Sequence, residues 1–164
     1  MRYQMKQKLF SFGDDFSIVD DNSNHVATVD GKVFSIGNKL AFIDKSGKEL
    51  AKIEQKLIAL KPTYEITRGG KHVATVSKDF FTFFRCSFTV DVPGPDDLEA
   101  QGSFTEHEYT FSRGGRKVAR VSKSWFSIRD SYGVEIEDEQ DAILILASTV
   151  VIDLCCHDEQ AKQH

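Results

Sequence analysis

Proline is scarce in this chain, at three residues in 164, and glycine stops at eleven. Neither is abundant enough for a low-complexity or linker-like polypeptide. Cysteine is as rare, and its three residues, with Cys155 and Cys156 adjacent, cannot build a disulfide framework. That usage fits a reducing cytoplasm. No apolar segment follows the polar opening Met1-Arg2-Tyr3-Gln4-Met5-Lys6, so no secretory signal is read there. No apolar run reaches the roughly 20 residues that a membrane-spanning helix needs. The longest, Ala142 to Ile152, stops after eleven residues at Asp153. Extending it through Leu154-Cys155-Cys156 would carry that carboxylate into the bilayer at roughly 2.5–3.5 kcal/mol. A strong charge of one sign is lacking too. The 21 basic and 25 acidic side chains leave −4, which argues against general nucleic-acid binding.

What is present is a globular composition, with 40% apolar and 28% charged residues, consistent with one domain over residues 1–164. Thirteen phenylalanines favour strands. An internal repeat then organises the chain. Tyr64-Glu65-Ile66-Thr67-Arg68-Gly69-Gly70-Lys71-His72-Val73-Ala74-Thr75-Val76-Ser77-Lys78 is echoed 45 residues later, from Tyr109 through Arg113-Gly114-Gly115-Arg116, Val118-Ala119-Arg120-Val121 and Ser122-Lys123. A fainter copy, His25-Val26-Ala27-Thr28-Val29, matches His72 to Val76 letter for letter. One supersecondary unit is being reused.

Gly-Gly between two β-rich runs predicts a type I′ hairpin, which needs φ > 0 at both central positions. Val-Ala-x-Val is then the return strand, and the Ser-Lys with its aromatics is expected to begin a third. Further turns are expected at Asp20 to Asn24, Asp30-Gly31-Lys32, Lys45 to Lys48 and Ser131-Tyr132-Gly133. The loop Asp91 to Asp97 is expected to divide two halves. Spacings of about 8–12 residues between turn signals amount to about twelve strands in a sandwich or barrel. The acidic run from Glu137 to Asp141 predicts a helix from near Asp138 to near His157, with residues 158–164 expected as a disordered tail. A body apolar on nearly every face must be surrounded by protein. The fold class is therefore mainly β: a closed antiparallel barrel enclosing a C-terminal hydrophobic helix, with Ala27, Ala74 and Ala119 leaving room for it.

The Arg-Gly-Gly-[Lys/Arg] hairpins, the Val-Ala-x-Val returns and the closing Ile143-Leu144-Ile145-Leu146-Ala147-Ser148-Thr149-Val150-Val151-Ile152-Asp153 helix resemble the LURP-one-related proteins, in their bacterial YxjI-like branch. The resemblance covers nearly the whole chain. It implies the fold of Tubby C-terminal domains and phospholipid scramblases, a twelve-stranded barrel around a hydrophobic helix. It carries no catalytic motif. The phosphoinositide-binding motif of Tubby domains has no counterpart at identifiable positions, and the Cys-rich, proline-rich and calcium-binding segments of scramblases are missing.

Charge supplies the candidate site. Between Tyr109 and Arg129 stand Arg113, Arg116, Lys117, Arg120, Lys123 and Arg129, with no acid among them. As an anion or lipid-headgroup patch, each would contribute about 1 kcal/mol near an anionic membrane. The competing reading is a strand face charged for solubility, and on an unbroken strand Lys117 and Lys123 point away from Arg116 and Arg120. No metal site, cofactor or catalytic residue is expected, since His-Glu-x-x-His, Gly-x-Ser-x-Gly and Walker-type loops are all missing. His25 and His72 stand at equivalent repeat positions, which implies a shared structural role. His107 lies between Glu106 and Glu108, which would face the opposite way on a strand. Asp20-x-Asn22-x-Asn24 opens like a calcium loop but has His25 and Gly31 where Gly and Glu are required, leaving a turn. Cys155 and Cys156 read as the apolar end of a core helix. Asp153 either ties the helix to donors on the barrel wall or is solvated near its mouth; the polar His157-Asp158-Glu159 favours the second.

The function expected is a non-enzymatic binding module that contacts anionic phospholipid headgroups or a protein partner through its outer surface. The alternatives are an enzyme with an unrecognised site and a membrane-inserted scramblase-like protein. No nucleic acid and no transmembrane span are expected; the location is cytoplasmic, with peripheral membrane contact left open.

Overall fold

A computed structural model describes residues 1–7, 16–31, 39–82, 85–125 and 131–162. In chain order the strands are β1 (Arg2–Gln7), β2 (Phe16–Asp20), β3 (His25–Gly31), β4 (Lys39–Ile43), β5 (Glu49–Gln55), β6 (Thr63–Arg68), β7 (Lys71–Thr82), β8 (Arg85–Asp91), β9 (Leu98–Ser103), β10 (Glu108–Arg113), β11 (Arg116–Ser122) and β12 (Ser131–Ile136), followed by helix α1 (Ala142–Lys162). Each strand pairs antiparallel with its sequence neighbours, and β1 also pairs with β12, with Met5 facing Ile18 on one side and Tyr132 on the other. The barrel is closed and has no edge strand to protect. The β2–β3, β4–β5, β6–β7, β8–β9 and β10–β11 turns lie at one end, here the hairpin end. The β5–β6 and β9–β10 connections lie at the other, the loop end.

The glycine pairs behave as their chemistry requires. Gly69 and Gly70 have φ of 59° and 77°, and Gly114 and Gly115 have 56° and 78°, the left-handed values of a type I′ turn. The first two hairpins use aspartate instead. Asp20 Oδ1 accepts the backbone N–H groups of Asn22 and Asn24 at 2.9 Å each, and Asp44 Oδ1 accepts those of Ser46 at 2.9 Å and Lys48 at 3.0 Å. Asp20 to Asn24 is thus a hairpin turn.

All four of these hairpins carry the same irregularity. Ile18 faces Ala27 while Val19 faces His25, so Val26 is skipped; Leu50, Val73 and Val118 are skipped in the same way beside Ala51, Ala74 and Ala119. The repeat therefore has a fourth copy, Leu50-Ala51-Lys52-Ile53. One extra residue per return strand bends and twists the sheet, as closure demands. The four alanines face the interior and are buried, giving the helix its clearance.

Helix α1 fills the barrel. Every residue from Leu144 to Cys155 is buried, among Phe16, Phe42, Phe88 and Phe111 of the wall. Ser148 and Thr149 return their hydroxyls to the carbonyls of Leu144 and Ile145 at 2.8 Å, so neither needs a partner from the wall. The helix starts later than the acidic run suggested. Asp141 is its N-cap, accepting the Leu144 N–H at 3.2 Å and pairing with Arg68 at 2.7 Å, while Glu137 to Gln140 form a turn. It also runs further, through Lys162, so the expected tail is helical over residues 158–162.

Other expectations fail for local reasons. Ser131-Tyr132-Gly133 opens β12, all three paired with β1 and Gly133 with β11 as well. Asp91 to Asp97 merely joins two adjacent strands, with Val90 facing Leu98. Ser77-Lys78 continues β7 without a break, whereas its repeat equivalent Ser122-Lys123 ends β11.

Candidate functional site

Two places gather polar side chains. One is buried where the helix meets the loop end. Asp153, 6% exposed, accepts the Tyr132 hydroxyl on Oδ2 and His107 Nε2 on Oδ1 at 3.0 Å. The His107 ring stacks on Tyr132, with centroids 4.3 Å apart and planes at 21°. What aims His107 inward is its backbone. It closes the β9–β10 turn, its N–H bonding to the Phe104 carbonyl at 3.3 Å, with a φ of 54° that histidine tolerates better than most residues.

The solvated reading of Asp153 is thus overturned: the carboxylate is tied to the wall on both oxygens. His107 is a turn residue, so strand alternation never applied to it. Around this cluster burial, reinforced by the Asp153 charge, pushes the Tyr109 and Tyr132 hydroxyls well above the ordinary tyrosine range. His107 Nδ1 is enclosed without a hydrogen bond. Among the described residues no group of three or more His, Cys, Asp and Glu side chains is placed to hold a metal ion.

The second place is on the outer wall, and the bulge at Val118 creates it. On a regular strand residues three apart face opposite ways; the bulge puts them together. The repeats demonstrate this, because His25 Nε2 reaches Thr28 Oγ1 at 2.8 Å and His72 Nε2 reaches Thr75 Oγ1 at 2.9 Å. That pairing is the structural role the two histidines share. Lys117 and Arg120 occupy the same two repeat positions, so they share the outward face, contrary to the alternation argument.

With Arg116 they line a groove of about 490 Å³ between β11, β12 and the Glu137–Glu139 turn. Four cationic groups, the Met1 amine among them, face the four carboxylates of Glu135, Glu137, Asp138 and Glu139. Arg116 pairs with Glu137 at 2.7 Å and the Met1 amine with Asp138 at 3.7 Å. Arg120 lies 3.8 Å from Glu108 outside the groove, and Arg2 holds Glu135 at 2.8 Å. Trp125 sits half-buried at the groove's side, with the guanidinium carbons of Arg2 and Arg120 at 4.7 and 5.3 Å from its ring centroid.

Three other residues of the basic set lie elsewhere. Arg113 flanks the hairpin turn with its Nε enclosed and without a hydrogen bond. Lys123 is exposed beyond the far end of β11, where its N–H bonds Glu108 at 3.0 Å. Arg129 lies outside the described residues.

Residues 1–153 match the LURP-one-related family. The chain is also 38% identical over 156 residues to the uncharacterized protein YxjI of Bacillus subtilis (strain 168), covering 95% of this chain and 94% of the relative. The chain belongs to the LURP-one-related family. The fold is shared with a protein of known X-ray structure from Arabidopsis thaliana, which superposes with a TM-score of 0.67 at 18% identity, over 93% of this chain and 90% of that one. At that identity the likeness concerns fold alone. Among the described residues of this LURP-one-related chain, no helix is long and apolar enough to cross a membrane.

Proposed function

We propose that this LURP-one-related protein is a non-enzymatic binding module that receives a charged segment of a protein partner in the groove beside Lys117 and Arg120. The observation that carries the reading is the balance of charge there. Four cations facing four carboxylates hold no net field for an anionic headgroup, but they match a polypeptide that carries both signs. The interior offers no competing site along Leu144 to Cys155, because the helix occupies it. Trp125 between two arginines has the composition of an interface hot spot. Lys117 and Glu139 make no ion pair with any described residue, so each is available to a partner.

Photo-crosslinkers at positions 117 and 139, with one at Glu49 on the opposite wall as control, test this in cells. The expected result is one protein band from both groove positions, absent from the control and lost on Arg120→Glu. Headgroup binding remains the alternative for Arg113, Arg116, Lys117, Arg120, Lys123 and Arg129. Sedimentation with anionic vesicles that falls on Lys117→Glu, without a crosslinked protein, would give the groove to lipid.

A further inference from the structure

Diametrically across the barrel and at its loop end, the β5–β6 connection reads Lys56-Leu57-Ile58-Ala59-Leu60-Lys61. Leu57, Ile58 and Leu60 are 60, 101 and 109% exposed, and Phe80 on the adjacent β7 is 60% exposed. Single exposed apolar side chains are ordinary; several on one projection are not.

The base of the projection is held firmly. Lys56 N–H bonds the Thr63 carbonyl at 2.9 Å and Lys78 N–H bonds that of Pro62 at 3.0 Å. Lys56 pairs with Glu65 at 2.8 Å and Lys61 with Asp79 at 2.6 Å. Only the apolar tip stands free, with a lysine at each side of it.

We propose that this tip inserts into the interfacial layer of a lipid bilayer and seats the protein there. Shape selects the occupant. Exposures near 100% mean that no described part of the protein walls in Ile58 or Leu60, so a protein partner would have to supply a complete apolar socket, whereas a bilayer accepts a convex apolar point anywhere on its surface. Lys56 and Lys61, at the level where the tip ends, have long apolar stems that let their ammonium groups rest among headgroups. The acids paired with them leave little net charge, so insertion depends on apolar transfer and only weakly on salt.

The tip and the groove lie six strands apart around the barrel and at opposite ends, and no flat surface can touch both. A seated molecule therefore presents its groove to solution. Neither site depends on the other.

Sedimentation with neutral phosphatidylcholine vesicles, and in parallel with anionic vesicles containing phosphatidylserine, at low and high salt, tests the proposal. The wild type is expected to pellet with the vesicles at both. Burying one aliphatic side chain corresponds to about tenfold or more in affinity, so Ile58→Asp with Leu60→Asp should bind at least about a hundredfold more weakly. Both side chains are fully exposed among the described residues, so that variant is expected to keep the wild-type melting temperature. Lys117→Glu should bind as the wild type does. Failure of the wild type to pellet, or unchanged binding by the tip variant, overturns the proposal. So does binding that requires anionic lipid and disappears with Lys117→Glu, an outcome that would support lipid at the groove instead.

Discussion

Replacing Asp153 by alanine removes one carboxylate and strands two donors. The Tyr132 hydroxyl and His107 Nε2 both end on it, and Asp153 is 6% exposed, so water cannot readily substitute. A buried polar group left without its partner costs about 1–3 kcal/mol. Two such groups are stranded, and the expected loss is about 2–6 kcal/mol. For a chain of this length that lowers the melting temperature by roughly 4–24 °C. Asp153→Asn keeps the volume and still accepts the Tyr132 hydroxyl, while His107 can switch tautomer to accept from the amide. Its expected loss is about 1–2 kcal/mol. Urea unfolding followed by circular dichroism measures both. A loss below about 1 kcal/mol for Asp153→Ala would refute the tie and restore a solvated carboxylate at the barrel mouth.

Two further outcomes come from the same region. Tyr109 and Tyr132 hold their protons well above the ordinary tyrosine range because of burial and then the Asp153 charge. Above a pH of about 10 the unfolded chain releases protons that the folded one keeps. Their contribution is therefore complete below about pH 10 and declines as pH rises toward the folded values; a urea midpoint flat from about pH 9 to about pH 11 would contradict it. Gly102 has a φ of 142°, and a Cβ there would lie 2.6 Å from the Glu108 carbonyl oxygen and 2.7 Å from Tyr109 Cα. Backbone cannot move aside cheaply, so Gly102→Ala should cost about 1–3 kcal/mol in thermal unfolding. Gly47→Ala, with open space around its Cβ, should cost about 1–2 kcal/mol through its positive φ alone.

The barrel was legible because its signals are local. Gly69-Gly70 and Gly114-Gly115 announce turns that only glycine pairs make easily, and an apolar run with no polar stripe needs walls on all sides. The fourth repeat copy was hidden because Leu50-Ala51-Lys52-Ile53 preserves only the buried alanine and the branched side chains flanking it; its charges are unlike those of the other copies. The bulges were not legible at all. They follow from how the sheet closes, and they reversed the facing of Lys117 relative to Arg120. The groove needed tertiary information too, since Glu135 to Glu139 reach it only when β12 pairs with β11, and Met1 only when β1 pairs with β12. Asp153 stands out in the sequence as a charge that ends an apolar run, but its partners stand 46 and 21 residues earlier, and His107 turns inward only because of its left-handed backbone. Recurrence did flag His25 and His72, and the shared bond to threonine is what they have in common.

Native-state amide hydrogen exchange along α1 bears most directly on the claim that the apolar run is the core of the barrel. Amides from Leu146 to Cys155 should exchange only when the whole barrel opens, with a free energy equal to that of global unfolding and the same as for β6 and β10. Exchange along the helix that is markedly faster than in those strands would mean that it leaves an otherwise intact barrel, and the account would be wrong at its centre.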